Sequence, residues 1–492
     1  TSGVFDLFMR KGNNQKAEHT FQFGLIGIDF SSEGPFKKEG KSSYLFNYRY
    51  ATLALLKPLM PDDAGGTKYQ DLSFKLNFPT KKAGLFSIWG IGLTDYSGQS
   101  VESDTTKRLY FQDKEQADAD QFMGATGVNH IYFFNKNTHL ETTLAATLRG
   151  IDWKIKRMNE TSVLLDQSQI KNTNQNFVFK TALNTKINAK HNNKTGLVVT
   201  GLKYNMQLND AGNTELPPIS IVDEEGFSTL ISAYTNSTFN FSNKLTMNIG
   251  LNTQLFTLNS NYTIEPRIGL SWKVKENQQI GLAYGLHSRL ERLNYYFSKT
   301  PTTGDELVNK DMDFSKSHHF VLSYSMNISE NLLLKIEPYY QQLFDVPVIA
   351  DSSFSFINLH DEWFLNEKLQ NTGKGRNYGV DITLEKYMSK GYYFLLTASI
   401  FNSEFRGGDG IWRDTKYNRN YLFNFLIGKE WMLGKNKQNV LGLNTRFTYQ
   451  GGERYSPIDQ TKSLLEQDVV YDETRAFSQQ TAPSFVAHFT AS

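Results

Sequence analysis

Tyr262-Thr263-Ile264-Glu265-Pro266-Arg267-Ile268-Gly269-Leu270-Ser271-Trp272 is the stretch on which the fold class turns. From Tyr262 to Trp272 every second residue is apolar, and the residues between are polar, charged or glycine. Successive side chains of a strand point to opposite faces, so this segment has one greasy face and one wet face. The pattern recurs along the chain. Leu72, Phe74, Leu76 and Phe78 alternate with Asp71, Ser73, Lys75 and Asn77; Ile280, Leu282, Tyr284 and Leu286 alternate with Gly281, Ala283, Gly285 and His287. Tyr378, Val380, Ile382 and Leu384 alternate with Gly379, Asp381, Thr383 and Glu385.

Alternation alone fits a soluble sandwich as well as a membrane barrel; the connections separate the two. Tight polar turns are predicted at Pro79–Ala83, Asn135–Thr138, His191–Lys194, Ser242–Lys244, Lys275–Asn277, Ser329–Asn331 and Met388–Gly391. Between them lie long links: about Leu56 to Tyr69, Ser97 to Asp120, Arg157 to Asn174, Asn209 to Gly226, Arg292 to Ser315, Asp345 to Lys374, Arg406 to Tyr417 and Gly451 to Pro483. One member of that set, Asn259 to Asn261, is short. Short and long connections in strict alternation put every long loop at one end of the sheet. Transmembrane barrels have this asymmetry, with short periplasmic turns and long extracellular loops, whereas a Greek-key sandwich spreads its loops over both ends.

The expectation is an all-β transmembrane antiparallel barrel of about 20 visible strands, each long enough for the roughly 9–11 residues that cross a tilted span. Its outward face would meet outer-membrane lipids, and its lumen would be too wide for side chains to fill. Trp272, Trp431 and Trp153 fall at strand ends, where an interfacial aromatic girdle would place them; Trp89 sits mid-strand with its face undecided.

Composition agrees. Aromatic residues make up 14% of the 492 residues, with 36 Phe and 25 Tyr, while the formal net charge is only +2, which favours no nucleic-acid partner. The absence of cysteine removes disulfides and thiolate metal sites. No apolar run approaches the roughly 18 residues of a membrane helix.

Catalytic motifs are missing: there is no G-x-S-x-G elbow, H-E-x-x-H pair or Walker loop, so no enzyme and no cofactor is expected. His318 and His319, adjacent on a strand, would face opposite walls and share no metal. Asp223-Glu224-Glu225 reads as a solvated acidic loop rather than a calcium site, and Gly407-Gly408-Asp409-Gly410 as loop chemistry. Lumen positions follow from the phase: Lys75, Glu265, Arg267, His287, Arg289, Glu291, Asp381 and Glu385, wet residues whose default role would be to hydrogen-bond a plug. For an unknown nutrient ligand, the candidate contacts are the aromatic and cationic loop residues Arg292, Tyr295, Tyr296, Trp363 and Trp412, against which loop self-packing is the competing reading.

Several stretches resemble the barrel of TonB-dependent outer-membrane receptors, in the branch with an N-terminal carboxypeptidase-regulatory-like domain. They are SGVFDLFMRKGN (Ser2–Asn13), EGPFKKEGKSSYLFNYRY (Glu33–Tyr50), IEPRIGLSW (Ile264–Trp272), GLAYGLHSRLERLNYYF (Gly281–Phe297), SHHFVLSYSMNIS (Ser317–Ser329), GKGRNYGVDITLEKYMSKGYYFLLTASIFNSEF (Gly373–Phe405) and GGERYSPID (Gly451–Asp459). They run in family order through nearly the whole chain. The resemblance implies a barrel of about 22 strands, and the chain as given, 1–492, reads as barrel only. Gly3–Arg10 and Pro483–Ser492 read as strands at its two ends, and both ends read as missing sequence; the resemblance implies a lumenal plug upstream and about two strands downstream. The plug would engage TonB, and some relatives work with a surface lipoprotein lid. The leading expectation is an outer-membrane receptor that imports a nutrient bound at its extracellular loops. The alternatives are a receptor-like subunit of a larger envelope assembly and a passive porin.

Overall fold

The computed structural model describes every residue except 1–7, 25–26, 53–67, 213–215, 301–303, 305, 360–362, 437 and 467–468. The alternating segments form one antiparallel sheet of 21 strands, most of them paired to their neighbours in sequence. In chain order these are β1 (Glu18–Gly24), β2 (Gly27–Pro35), β3 (Ser43–Thr52), β4 (Lys68–Pro79), β5 (Leu85–Gln99), β6 (Glu115–Phe133) and β7 (Thr138–Met158). Next come β8 (Leu164–Asn188), β9 (His191–Asp210), β10 (Ile219–Asn240), β11 (Leu245–Phe256), β12 (Asn261–Lys275) and β13 (Gln278–Arg289). A one-turn helix α1 (Leu293–Tyr296) precedes β14 (Ser315–Ser329), β15 (Leu332–Ile349), β16 (Leu369–Ser389) and β17 (Tyr392–Arg406). The three-residue β18 (Trp412–Asp414) lies on the end of β17, which continues its ladder with β19 (Tyr421–Leu433), and then comes β20 (Asn439–Gln450). A two-strand ladder of β21 (Arg454–Tyr455) and β22 (Gln479–Gln480), with helix α2 (Gln460–Glu466) between them, fills the last long loop before β23 (Ser484–Ala491).

Set β18 aside and the sheet is a meander of twenty strands, matching the number read from the sequence. It forms the barrel wall, although β1 and β23 are not paired with each other within the described residues. Most predicted tight turns stand where the sequence puts them, for example between Pro79 and Leu85, between Lys275 and Gln278, and between Ser329 and Leu332. The expected strand at Gly3–Arg10 lies mostly outside the described residues, and Phe8–Arg10 is not strand. The expected loop at Leu56–Tyr69 also lies mostly outside them.

Three expectations are corrected. The turn predicted at His191–Lys194 is two residues earlier, because β8 runs to Asn188 and β9 already begins at His191. The long links predicted at Arg157–Asn174 and Asn209–Gly226 are mostly strand: β8 has 25 residues and β10 has 22, and β7 meets β8 through only Asn159 to Val163. Asp223-Glu224-Glu225 is therefore part of β10, paired with Gln207, Met206 and Asn205, and not a loop.

The cause is an inversion of the alternating phase. Along β9, Leu197 and Val199 face outward, but higher up Lys203, Asn205 and Gln207 are exposed while Tyr204, Met206 and Leu208 are buried. In the lower half of these strands the outside is apolar and the inside wet; in the upper half the outside is wet and the inside apolar. A reading tuned to one phase takes the upper half for loop. Trp153 belongs to the inverted region: it packs inward on the buried cluster and is not a girdle residue. Trp89 also turns inward, with its indole N–H donating to Asn129 Oδ1 at 3.3 Å.

The lower region carries the apolar outer band. Ile264, Ile268 and Leu270 lie outward on β12, exposed by 57%, 46% and 38%, while Glu265 between them is 1% exposed. Tyr262 and Trp272 mark the two ends of the band on β12, and Tyr421 and Trp431 do so on β19, each pair ten residues apart. At about 3.3 Å per residue and a strand tilt near 45°, that spacing gives about 23 Å, close to the roughly 25 Å height of a barrel's lipid-facing belt. Among the described residues no helix is long and apolar enough to cross a membrane, which says nothing about a barrel.

Leu282 sits in the middle of this band, opposite Leu270 and Leu322. Leu282→Arg should cost about 2–4 kcal/mol of folding stability in bilayers, while Ala283→Ser on the other face should stay within about 0.5 kcal/mol. Urea unfolding followed by the heat-dependent gel mobility of the folded barrel measures both.

Candidate functional site

At the end opposite the short turns the loops fold inward and interlock. The segment from Leu290 to Phe314, including α1, packs Tyr295, Tyr296, Phe297, Met312 and Phe314 against Ile170, Tyr204, Met206, Leu208 and Val222 on the upper inner faces of β8, β9 and β10. Phe356 from the link between β15 and β16 joins the same cluster, with its ring centroid 4.8 Å from that of Tyr295. Tyr204 meets Phe297 at 4.8 Å and Phe256 meets Tyr296 at 5.4 Å. This is a hydrophobic core built above the barrel, and it caps one side of the mouth.

The remaining loops are stitched to the cap by polar contacts. Ser352 Oγ and the Ser353 amide donate to Glu473 Oε2 at 2.8 and 3.1 Å, joining the last long loop to the link after β15. The Lys416 amide donates to Asn358 Oδ1 at 3.0 Å. Arg413 grips Asp409 with two nitrogens, at 3.0 and 2.6 Å, and Phe405 meets Phe477 edge-on. Burial alone would disfavour the Asp409 carboxylate, but the Arg413 guanidinium outweighs it and holds the carboxyl below its ordinary value.

The five ligand candidates separate into three situations. Tyr295 and Tyr296 are 2% and 0% exposed, so they are anchors of the cap and offer no surface in this conformation. Burial, then the nearby Glu291 carboxylate, pushes the Tyr296 hydroxyl well above its ordinary value. Arg292 stands at the N-cap of α1 with its guanidinium 5.9 Å from the ring of Trp363, and Trp363 lies partly buried against the cap. Trp412 is elsewhere: it pairs with Arg406 on the outward face of β17, and Arg376 stacks on it at 4.6 Å. The sequence groups these residues as one mouth; the structure brings together four of them and puts Trp412 on the outside wall.

Under the cap, the inner wall forms a cavity of about 380 Å³. His287, Arg289, Lys316, His319, Gln341 and Asn377 line it from four adjacent strands, with Phe356 and Tyr417 from the loops. The rings of His287 and His319 are 4.7 Å apart, whereas His318 turns outward onto Tyr284 and Phe344, so the two adjacent histidines do face opposite walls. The cations are already held: Arg289 by Glu291 at 2.7 Å, Lys316 by Asp313 and Asp345 at 2.9 and 3.0 Å. Sequence reasoning placed His287 and Arg289 on this wall and missed His319, Gln341 and Asn377, whose phase carries the same information. No set of three or more metal-binding side chains gathers among the described residues.

The other predicted wall residues face inward and are mostly engaged by the barrel itself. Glu265 accepts hydrogen bonds from Gln254 at 2.6 Å, Arg267 at 2.8 Å, Thr263 at 3.0 Å, Asn252 at 3.1 Å and Ser288. Asp381 accepts from Ser399 at 2.6 Å, and Glu385 lies on the same face of β16. Lys75 donates to the carbonyl of Met9 at 2.7 Å, which brings the segment before β1 against the inner wall.

No protein-family model matches the sequence, and no curated protein matches it. Solved structures do share its fold. The pyoverdine outer membrane receptor FpvA from Pseudomonas aeruginosa PAO1 superposes with a TM-score of 0.71 over 98% of this chain and 72% of its own, at 9% identity. The ferric-catecholate import receptor Fiu from E. coli K12 gives 0.65 over 97% and 75%, at 11% identity. The RagAB peptide importer in its closed-closed state gives 0.61 over 87% and 62%, at 12% identity. At such identities the likeness shows the fold alone, a large antiparallel β-barrel.

Phe314→Ala removes a fully buried ring from the cap and should cost the cap about 3–5 kcal/mol. Hydrogen exchange across 290–314 should rise sharply while the ladders of β11 to β13 keep their protection. The Asp409–Arg413 contact gives a pH signature. Because the folded Asp409 sits below its ordinary value, its contribution is complete above about pH 4 and is lost as pH falls through the lowered value. Hydrogen exchange within 407–414, corrected for the intrinsic pH dependence of exchange, should therefore rise on acidification, and Asp409→Asn should show no such rise.

Proposed function

We propose that this chain is the barrel of an active outer-membrane transporter in a Gram-negative bacterium, which binds a nutrient under its extracellular cap and imports it. The observation that carries the reading is the pairing of a wide lumen with a built-over mouth. A wall of twenty long strands encloses more space than its side chains fill, yet the mouth is closed on one side by an aromatic core of its own. A passive porin gains nothing from such a cap; a receptor that admits one solute at a time does. The receptor-type fold and the apolar outer band support the same placement, with the long loops outside the cell and the short turns in the periplasm.

The cavity beneath the cap is the proposed binding site. Its cations are already neutralised by Glu291, Asp313 and Asp345, so it recognises a polar solute by hydrogen bonds from Gln341, Asn377 and the histidine pair, with Tyr417 and Phe356 as apolar contacts. Energy comes from TonB through a plug held in the lumen, as in the family the sequence resembles, and the inward polar wall around Glu265 and Asp381 is the surface against which a plug would rest.

A surface lipoprotein is the proposed second partner, and one feature favours it. On the outermost loop α2 shows Leu464 and Leu465 exposed by 81% and 79%, beside exposed Ile458 and Tyr471. That is more adjacent apolar surface than a solvated loop needs, and a protein lid would cover it. The same patch would serve if the barrel is a subunit of a larger envelope assembly.

The test is uptake by cells carrying the full-length protein, measured with and without TonB. Uptake should stop without TonB; solute passing at the same rate in both strains would leave the porin reading instead. Gln341→Ala combined with Asn377→Ala should weaken binding of the imported solute roughly ten-fold. Leu464→Asp with Leu465→Asp should release any co-purifying envelope protein without altering the barrel's gel mobility.

A further inference from the structure

The small net charge of the whole chain conceals a row of lysines along one rim of the barrel. At the short-turn end lysine stands in or beside most of the turns, at Lys82, Lys136, Lys190, Lys244, Lys275 and Lys390, and none of these makes an ion pair among the described residues. At the loop end Lys107, Lys154, Lys156, Lys316 and Lys462 are each bridged to an aspartate, while among the described residues Lys171 and Lys203 on the tall strands are not. Lysines standing along this rim without a carboxylate partner call for an anion from outside the protein.

One place on this rim is more than a loose collection. Tyr392 on β17 lies directly opposite Lys429 on β19, whose ammonium is 5.6 Å from the ring centroid. Lys386 on β16 reaches the same ring at 4.3 Å. All three follow the outward phase: Lys386 continues Ile382 and Leu384, and Lys429 continues Phe425 and Ile427. Two ammonium groups thus share one tyrosine face on the outside of the barrel, and among the described residues the Tyr387 carbonyl, 3.5 Å from Lys386, is the oxygen that serves them. Toward the band centre stand Phe394, Leu396 and Ile427; on the other side stands Trp431, at girdle height. Cations at the interface with an apolar strip running from them toward the membrane centre match the two halves of a lipid.

We propose that Lys386, Lys429 and Tyr392 form a binding site for the phosphodiester headgroup of an anionic phospholipid in the periplasmic leaflet, with an acyl chain lying along Phe394, Leu396 and Ile427. The remaining turn lysines extend the same preference around the rim. The site rests on the barrel's membrane orientation and is independent of transport: loss of TonB-driven uptake with the lipid preference intact would remove only the transport reading.

Native mass spectrometry of the full chain, stripped of lipid and offered equal phosphatidylglycerol and phosphatidylcholine, tests it. The wild-type protein should retain phosphatidylglycerol in preference, and inorganic phosphate at the same concentration should not displace it. Each interfacial lysine is worth roughly a five-fold change, so Lys386→Gln with Lys429→Gln should lower the preference about twenty-five-fold and Lys429→Gln alone about five-fold. Lys203→Gln, on the outward face near the loop end, should leave it unchanged. Equal retention of both lipids by the wild type, displacement by free phosphate, or an unaltered preference in Lys429→Gln would overturn the proposal.

Discussion

Everything in this molecule depends on the pairing of backbone groups across adjacent strands. In hydrocarbon no water can satisfy an amide or a carbonyl, so each strand must be bonded on both sides and the strands must follow one another around a wall. That constraint accounts for the plain meander, the ten-residue spacing of the aromatic girdles on β12 and β19, and the short turns at one end. It also leaves the opposite end free, because strands and loops that rise out of the membrane can again use water and side chains. The barrel's individuality is concentrated there.

The same change of solvent explains which parts were legible in the sequence. Where one face meets lipid and the other a wet lumen, the period-two signal has a fixed phase, and strands such as β12 and β13 can be read to within a residue or two. Where β8, β9 and β10 leave the membrane, water takes the outside and the cap takes the inside, so Lys203 and Gln207 are outward and Met206 and Leu208 inward. The alternation persists with its phase reversed, and the polar outward row makes the segment look like loop. The inversion itself was the available signal: a strand whose apolar parity switches partway up is one that emerges from lipid and is covered by protein from within.

The candidate site was legible in part for a related reason. Parity along β13 gave His287 and Arg289, and the same parity on β14 and β15 holds His319 and Gln341. Loop residues carry no parity, so composition could name Tyr295 and Trp363 without saying whether they touch ligand or one another. The structure answers with self-packing: a loop rich in aromatic residues beside tall strands with an apolar inner row has a core to join. Trp412 escaped the group because β18 lays it on the outward face of β17, a placement set by three ladder pairs that no pattern in the loop announces.

The tall strands have a mechanical consequence. The ladders linking β7 through β10 run from the turns to their upper ends with a single register shift in each, so that side of the mouth is a stiff upright, braced by backbone hydrogen bonds over most of its height. The described residues of the segment from Leu290 to Phe314 are fastened to it mainly by side-chain packing, together with a backbone hydrogen bond from the Lys299 amide to the Ile221 carbonyl at 3.2 Å. Any opening must then proceed as a one-sided peel, with the seam between the aromatic cap and the upright parting from its free margin while the upright stays still. A solute entering by that route would slide down a fixed wall, meeting the inner faces of β8 to β10 before it reached the histidines below.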